Sequence, residues 1–210
     1  MAGPNLTIHL PIIQVQNKAN TTPFTKAMVE AAGQTFTNGT PVMQNASGYA
    51  QAWDANAAAA TLLGISESFG LNLATPGFGA PVYPWGQVTG TISTQTYGSV
   101  PNQPNASNIA LGAPVSDGRT LYVEANPDNI FEGMFDNNNG AVASDWTPTI
   151  ADIGKTYGLT KDSGGPYWYV DKSKVGANAA VRIVGIDTVD GYTLNARVFF
   201  TFLPAVILPN

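Results

Sequence analysis

The stretch that decides the fold is AAVRIVGIDTVDGYTLNARVFFTFL, residues 179–203. Its two runs of β-branched and aromatic residues flank Asp190-Gly191, a dipeptide typical of tight hairpin turns because both positions accept a positive φ. Along the second run, the side chains at 196, 198, 200 and 202 alternate with their neighbours in the two-residue period of a strand. Gly185 is a candidate β-bulge. The stretch therefore predicts a β-hairpin against which the other strands assemble.

The composition favours an all-β protein with little surface charge. Of the 210 residues, 11% are charged, against roughly 25% in an average soluble domain. Glycine (22) and proline (15) are frequent, and short strand patterns recur between turn signals about every ten residues. We therefore expect a mainly β fold, a barrel or sandwich of short antiparallel strands. Low charge also suits a protein that packs among copies of itself.

The chain divides into three segments. Residues 1–22 are expected to form an extended N-terminal arm, because their strand patterns are interrupted by Pro11 and followed by a polar run without a period. Residues 23–204 are expected to form the β-rich domain, with a possible loop-rich insertion at 74–118. Residues 205–210 are an apolar tail, which should fold back on the core or dock on a neighbour.

One short helix is predicted at the start of the domain, over residues 23–32. Thr22 can cap it, Pro23 fits its first turn and Gly33 can end it. Phe24, Ala27, Met28 and Ala31 would form its apolar stripe.

The chain carries no recognisable catalytic or metal-binding motif. It has no cysteine and one histidine, His9 in the arm, so a histidine-dependent triad would rely on that segment. The aspartates at 162, 171, 187 and 190 are more simply turn residues than a glycosidase pair. Residues 136–140 resemble the start of a calcium loop, but their glycine comes one position early. We expect a protein that is not an enzyme, with no cofactor and no metal.

Nucleic acids and membranes are not expected partners. The net charge is −5, and the nine Lys and Arg residues are scattered singly, unlike the basic patches that bind phosphates. No apolar run approaches the ~18 residues of a membrane span. The N-terminus lacks the basic and apolar regions of a signal peptide. We expect the chain to be made in the cytosol.

An aromatic set provides one alternative function. Tyr83, Trp85 and Trp168 could form a platform for a sugar or a peptide. Tyrosine and tryptophan also fill β-cores and subunit interfaces. A carbohydrate-binding module or adhesin therefore stays open as an alternative.

Several stretches resemble a known kind of virion protein. Thr40-Pro-Val-Met, Gly48-Tyr-Ala-Gln-Ala-Trp53 and Leu63-Gly-Ile-Ser66 are similar to small β-barrel proteins of tailed-phage heads, in which a strand leads through a Gly-rich turn into an apolar Gly-Ile/Val-Ser strand. Stretches within 152–202 look like the same kind of protein. The chain thus resembles the head decoration, or cement, proteins of tailed bacteriophages across residues 40–73 and 119–203.

The resemblance implies a structural protein that binds the outside of an assembled capsid, often as a trimer, and bridges neighbouring capsomers. Its partners would be the major capsid protein and copies of itself, and its location the virion surface after synthesis in the host cytoplasm. A major shell subunit or a tail-tube subunit is the alternative within the same class. The contact residues expected are the apolar ones of the arm and tail: Leu6, Ile8, Leu10, Ile12, Val15, Val206, Ile207 and Leu208.

Overall fold

The computed structural model describes residues 11–18, 25–31, 34, 36–54, 61–67, 119–138, 140, 143–163, 165–187 and 195–209. These ranges hold eleven strands, three 3₁₀ turns and no α-helix, so the mainly β prediction is confirmed. The strands are β1 (Ile13–Asn17), β2 (Thr25–Val29), β3 (Pro41–Gln44), β4 (Ala50–Ala52), β5 (Leu62–Ser66), β6 (Arg119–Glu124), β7 (Asn129–Asp136), β8 (Thr156–Lys161), β9 (Trp168–Asp171), β10 (Val181–Ile186) and β11 (Arg197–Phe202). The 3₁₀ turns are Ala143–Asp145, Ile150–Asp152 and Gly176–Asn178.

Five strands close into a barrel in the order β7-β11-β10-β8-β9, with β9 pairing back to β7. The pairing of β7 with β9 is parallel and the other four are antiparallel. Every second residue of β7 and β11 points inward, as the pleat requires. Phe131, Phe200 and Phe202 meet inside the barrel with ring centroids 5.2–6.0 Å apart. One of these ring pairs is stacked and two are edge-to-face, and together the rings fill the barrel core.

The hairpin predicted at 179–203 is present as the β10–β11 pair. Its register shifts between Ile183 and Gly185, so the bulge predicted at Gly185 is confirmed, with Val184 as the extra residue. The Asp190-Gly191 turn lies outside the described residues.

A second antiparallel sheet, in the order β2-β6-β5-β3-β4, packs beside the barrel. Its central strands approach closely at Gly64, where an added Cβ would lie 1.9 Å from the Val123 carbonyl oxygen. Trp53, just after β4, packs on Trp168 of β9 with ring centroids 5.7 Å apart. One apolar cluster therefore extends from the barrel into the second sheet.

The helix predicted over residues 23–32 is wrong where the structure describes it. Thr25–Val29 is strand β2, which pairs antiparallel with residues 119–123 of β6. The β6 partner satisfies the backbone groups and half-buries Met28 and Val29, and such tertiary pairing overrides a weak local helix preference. Thr22, Pro23 and Gly33 lie outside the described residues.

Part of the predicted N-terminal arm belongs to the folded domain. Residues 1–10 lie outside the described part of the chain, but Ile13–Asn17 is strand β1, paired with β7 of the same chain. Ile12 is 1% exposed and belongs to the core. The segment 12–17 is extended, as predicted, yet it is part of the folded domain because burying Ile12 in the core holds it there.

The tail folds back on its own chain. The Leu62 amide donates to the Val206 carbonyl, and the Leu208 amide donates to the Leu62 carbonyl, each at 2.9 Å. These hydrogen bonds form a short parallel bridge that pairs Ile207 of the tail with Leu62 of β5. The possible insertion at 74–118 lies outside the described residues.

Candidate association surface

An apolar groove crosses the outer face of four neighbouring strands, β1, β7, β11 and β10. Its volume is about 290 Å³, and its lining comes from one or two residues on each strand: Val15, Gln16, Ile130, Val184, Gly185 and Phe199. Val15 and Val184 are 40% and 37% exposed. Apolar side chains on the water side of a sheet suggest a contact surface when they form one continuous patch.

Two β-bulges shape this groove. Val184 is the extra residue of the β10 bulge, and Val15 is the extra residue of a second bulge, in β1 between Gln14 and Gln16. A bulge re-aims the side chain it inserts, and both inserted valines line the groove. Gly185 keeps its floor open, since a Cβ there would lie 3.3 Å from the Phe199 ring.

A group of ionic side chains, a half-buried arginine and two buried carboxylates, lies on the same outer face. Arg197 of β11 makes an ion pair with Glu132 of β7, and a second at 2.8 Å with Asp187, just after β10. Both carboxylates belong to residues that are 7% exposed. The three residues therefore tie three barrel strands together, and we call them the Arg197 triad.

The triad corrects the sequence interpretation of Asp187 as a simple turn residue, since its carboxylate is buried and pairs with Arg197. Strand alternation alone predicts that Arg197 and Phe199 share one face of β11, and that Ile130 and Glu132 share one face of β7. The pairing of β11 with β7, which brings those faces together, joins parts of the chain more than 60 residues apart. No local pattern encodes that pairing.

The strand β1 is the last strand of its sheet as far as the described residues show. It covers the first half of β7, and among the described residues no strand pairs with its other side. Residues 11–17 carry no charge. By contrast, the edge strand β2 carries Lys26, which pairs with Glu124 at 2.6 Å. Charged residues on edge strands discourage pairing with other chains, so β1 is the less protected of the two edges.

The residues predicted to make contacts are only partly brought to the surface. Leu6, Ile8 and Leu10 lie outside the described residues, and Ile12 is buried in the core. Val15 is exposed and lines the groove. Of the tail residues, Val206 and Ile207 pack on the main core and Leu208 packs on a smaller cluster, all three half-buried.

The structure describes one residue of the predicted aromatic platform, Trp168, and places it in the core. Trp168 is 4% exposed and packs on Trp53 inside the core, so it offers no ring face to a ligand. Among the described residues, its indole N–H has no hydrogen-bond partner. Tyr83 and Trp85 lie outside the described residues.

Two buried aspartates hold turns in place. Asp171 accepts hydrogen bonds from the Thr160 and Ser173 hydroxyls, both at 2.6 Å. Asp152 accepts hydrogen bonds from the Tyr157 hydroxyl at 2.6 Å and from the amide and hydroxyl of Thr149 at 2.8 Å. Burial alone would raise the pKa of Asp152, but these hydrogen bonds outweigh it and lower the pKa below its ordinary value.

The Asp152 carboxylate also acts on its neighbours. Burial, and then the hydrogen bond to Asp152, raise the pKa of Tyr157. Lys172 lies 3.7 Å from the carboxylate and 5.6 Å from the centre of the Phe135 ring. Within the described ranges, no group of three His, Cys, Asp or Glu side chains is placed to hold a metal ion.

No protein-family model matches the chain, and no curated protein or solved structure is significantly similar to it. In the part of the chain that the structure describes, no helix has the length and hydrophobicity to cross a membrane. The resemblance to phage head decoration proteins stays a prediction.

Proposed function

We propose that the chain is a structural virion protein of a tailed bacteriophage, which binds the outside of the assembled capsid and bridges neighbouring capsomers without catalysis. Its partners are the major capsid protein and copies of itself, in a homotrimer. It is made in the host cytoplasm and works on the capsid surface. The observation that carries the proposal is the apolar groove across β1, β7, β11 and β10 on the outside of a closed barrel.

The geometry supports an association role in two respects. A closed barrel with a packed aromatic core is a rigid platform. The groove adds apolar contact area. Each contact is small, so attachment would depend on several copies binding at once around a closed ring, where avidity multiplies modest affinities.

The first test is direct. Mass spectrometry of virions purified from the phage that encodes this chain should detect the protein in many copies, and cryo-electron microscopy should show it on the capsid exterior. Absence from purified virions would refute the proposal. Assembly of the purified chain alone into shells or tubes would show a shell or tail-tube subunit instead.

A pair of matched variants tests the groove. Val184→Asp places a charge in the groove, whereas Val175→Asp changes a valine that is 57% exposed and lies outside it. With capsids that lack the protein, we expect Val184→Asp to weaken co-sedimentation at least tenfold, equivalent to about 1.4 kcal/mol. Val175→Asp should bind as the unmodified chain does. Equal binding by both variants would exclude the groove as the capsid contact.

A further inference from the structure

A second exposed apolar feature lies beside the groove. We propose that the capsid contact extends from the groove onto the turn that carries Ile150 and Ile153, and that the capsid surface it meets is acidic, with carboxylates opposite two cations of this chain. The cations are Arg182 and Lys155. The inference deepens the proposed function, on which it rests, by giving the chemistry of the partner at this surface.

The turn presents two isoleucines to water on a firmly held backbone. Ile150 and Ile153 are 69% and 45% exposed. Asp152, which lies between them, is 1% exposed and accepts hydrogen bonds from Thr149 and Tyr157. The Ile153 amide also donates to the Ile150 carbonyl at 3.2 Å. The turn is therefore already ordered, so little conformational entropy would be lost when a partner covers its apolar side chains.

The turn lies against the strand that borders the groove. The Gly154 amide donates to the Ile183 carbonyl at 2.8 Å, and the Ile183 amide donates to the Lys155 carbonyl at 3.0 Å. Ile183 directly precedes Val184, the bulge residue that lines the groove. The residues that follow Ile153 thus run alongside β10 next to the groove wall. Neighbouring apolar residues that are all exposed indicate a contact surface more strongly than scattered ones do.

Two exposed cations border these apolar residues. Arg182 and Val184 both face outward on β10, because they alternate with the buried Val181 and Ile183. Lys155 is exposed and follows the turn. Within the described ranges, neither cation makes an ion pair or a side-chain hydrogen bond. Their charges are available to a partner.

The charges on this face indicate that the partner is acidic. Glu132 and Asp187 are already paired with Arg197. Arg182 and Lys155 are not paired in this way, and a cation that loses water at an interface without gaining a carboxylate weakens binding. Opposite charges at the rim of an apolar contact also select the partner and its orientation. A surface with carboxylates at these two positions therefore fits best, although the whole chain has a net charge of −5.

Charge reversal tests this chemistry with full-length chains and capsids that lack the protein. Arg182→Glu and Lys155→Glu should each raise the Kd measured by co-sedimentation at least tenfold, since each replaces an attraction by a repulsion. Lys161→Glu is the matched control, because Lys161 is also exposed and lies at the far end of β8 from Lys155. It should bind as the unmodified chain does. Equal binding by all three variants would overturn the proposal, and tighter binding by Arg182→Glu would do so by showing a basic partner.

The salt dependence of binding checks the sign of the interaction without any substitution. Salt screens the attraction between exposed opposite charges, so the unmodified chain should bind capsids more weakly as the salt concentration rises. Arg182→Glu should show a smaller or opposite dependence. Binding of the unmodified chain that strengthens with salt would contradict an acidic partner.

A second pair of variants tests the turn itself. Ile150→Asp changes a residue that is 69% exposed, and Val175→Asp is its control at a residue that is 57% exposed and does not line the groove. We expect Ile150→Asp alone to raise the Kd at least tenfold. If the unmodified chain binds capsids and neither Ile150→Asp nor Arg182→Glu weakens binding, the inference is refuted and the proposed function stands. If the unmodified chain does not bind capsids, the proposed function itself is refuted.

Discussion

Replacing Arg197 with methionine should destabilise the barrel by about 3–5 kcal/mol. Methionine keeps much of the arginine's length and apolar stem, so the change removes mainly the charge. Glu132 and Asp187, both 7% exposed, would lose the cation that they share. Taking the shared cation away from two buried carboxylates costs more than removing a whole ion pair.

A triple variant tests whether the lost stability comes from the two buried carboxylates. Adding Glu132→Gln and Asp187→Asn to the Arg197→Met chain removes both buried carboxylate charges while keeping side chains of similar size. Replacing a buried ionic group by neutral residues is often close to neutral for stability. The triple variant should therefore recover most of the loss and lie within about 1–2 kcal/mol of the unmodified chain.

Urea unfolding followed by the fluorescence of the four tryptophans measures these differences. Arg182→Met is the matched control, since Arg182 lies on β10 and is exposed; its effect should stay within about 0.5 kcal/mol. The reasoning is refuted if Arg197→Met costs no more than Arg182→Met. It is equally refuted if the triple variant is as unstable as the single one.

Two further changes test the packing of β5 and the acid response of Asp152. Gly64→Ala would place a Cβ 1.9 Å from the Val123 carbonyl oxygen, so we expect a loss of about 3 kcal/mol in thermal unfolding, and a smaller one for Gly185→Ala. The fold lowers the pKa of Asp152. Its carboxylate therefore stabilises the folded state at pH values above about 3.9, the pKa of an aspartate in the unfolded chain. This stabilisation is lost as the pH falls through the lower pKa of the folded state. Asp152→Asn should therefore be less stable at pH 7 and lose less stability on acidification, whereas parallel pH profiles for the two chains would contradict this assignment.

The sequence predicted structure best where neighbouring residues alone determine it. The β10–β11 hairpin and its bulge at Gly185 follow from strand alternation and one glycine. The short stretch Thr25–Val29 was wrongly predicted as helix because its cap-like flanks resemble helix ends. Its strand partner, β6, begins 90 residues after Val29, and only that pairing determines its conformation.

The groove shows why the candidate association surface was harder to predict than the fold. The residues Ile-Gln-Val-Gln of β1 have no glycine or proline to signal a bulge, and Val15 becomes the extra residue only because β7 lies alongside. The sequence analysis named Val15 as an expected contact residue through its place in a supposed arm; the structure shows it exposed and lining the groove, and the contact itself stays a prediction. The Arg197 triad was missed because its three members come from separate strands.

The start of β1 depends on a close contact with the turn at Gly39. Gly39 has a φ of +81°, and a Cβ there would lie 2.5 Å from the Pro11 Cβ and 2.9 Å from the Ile12 amide nitrogen. Any other residue would both strain this turn and push the start of β1 away from the core. The turn at Gly39 thus holds Pro11 and Ile12 in place and fixes the start of β1 against the core.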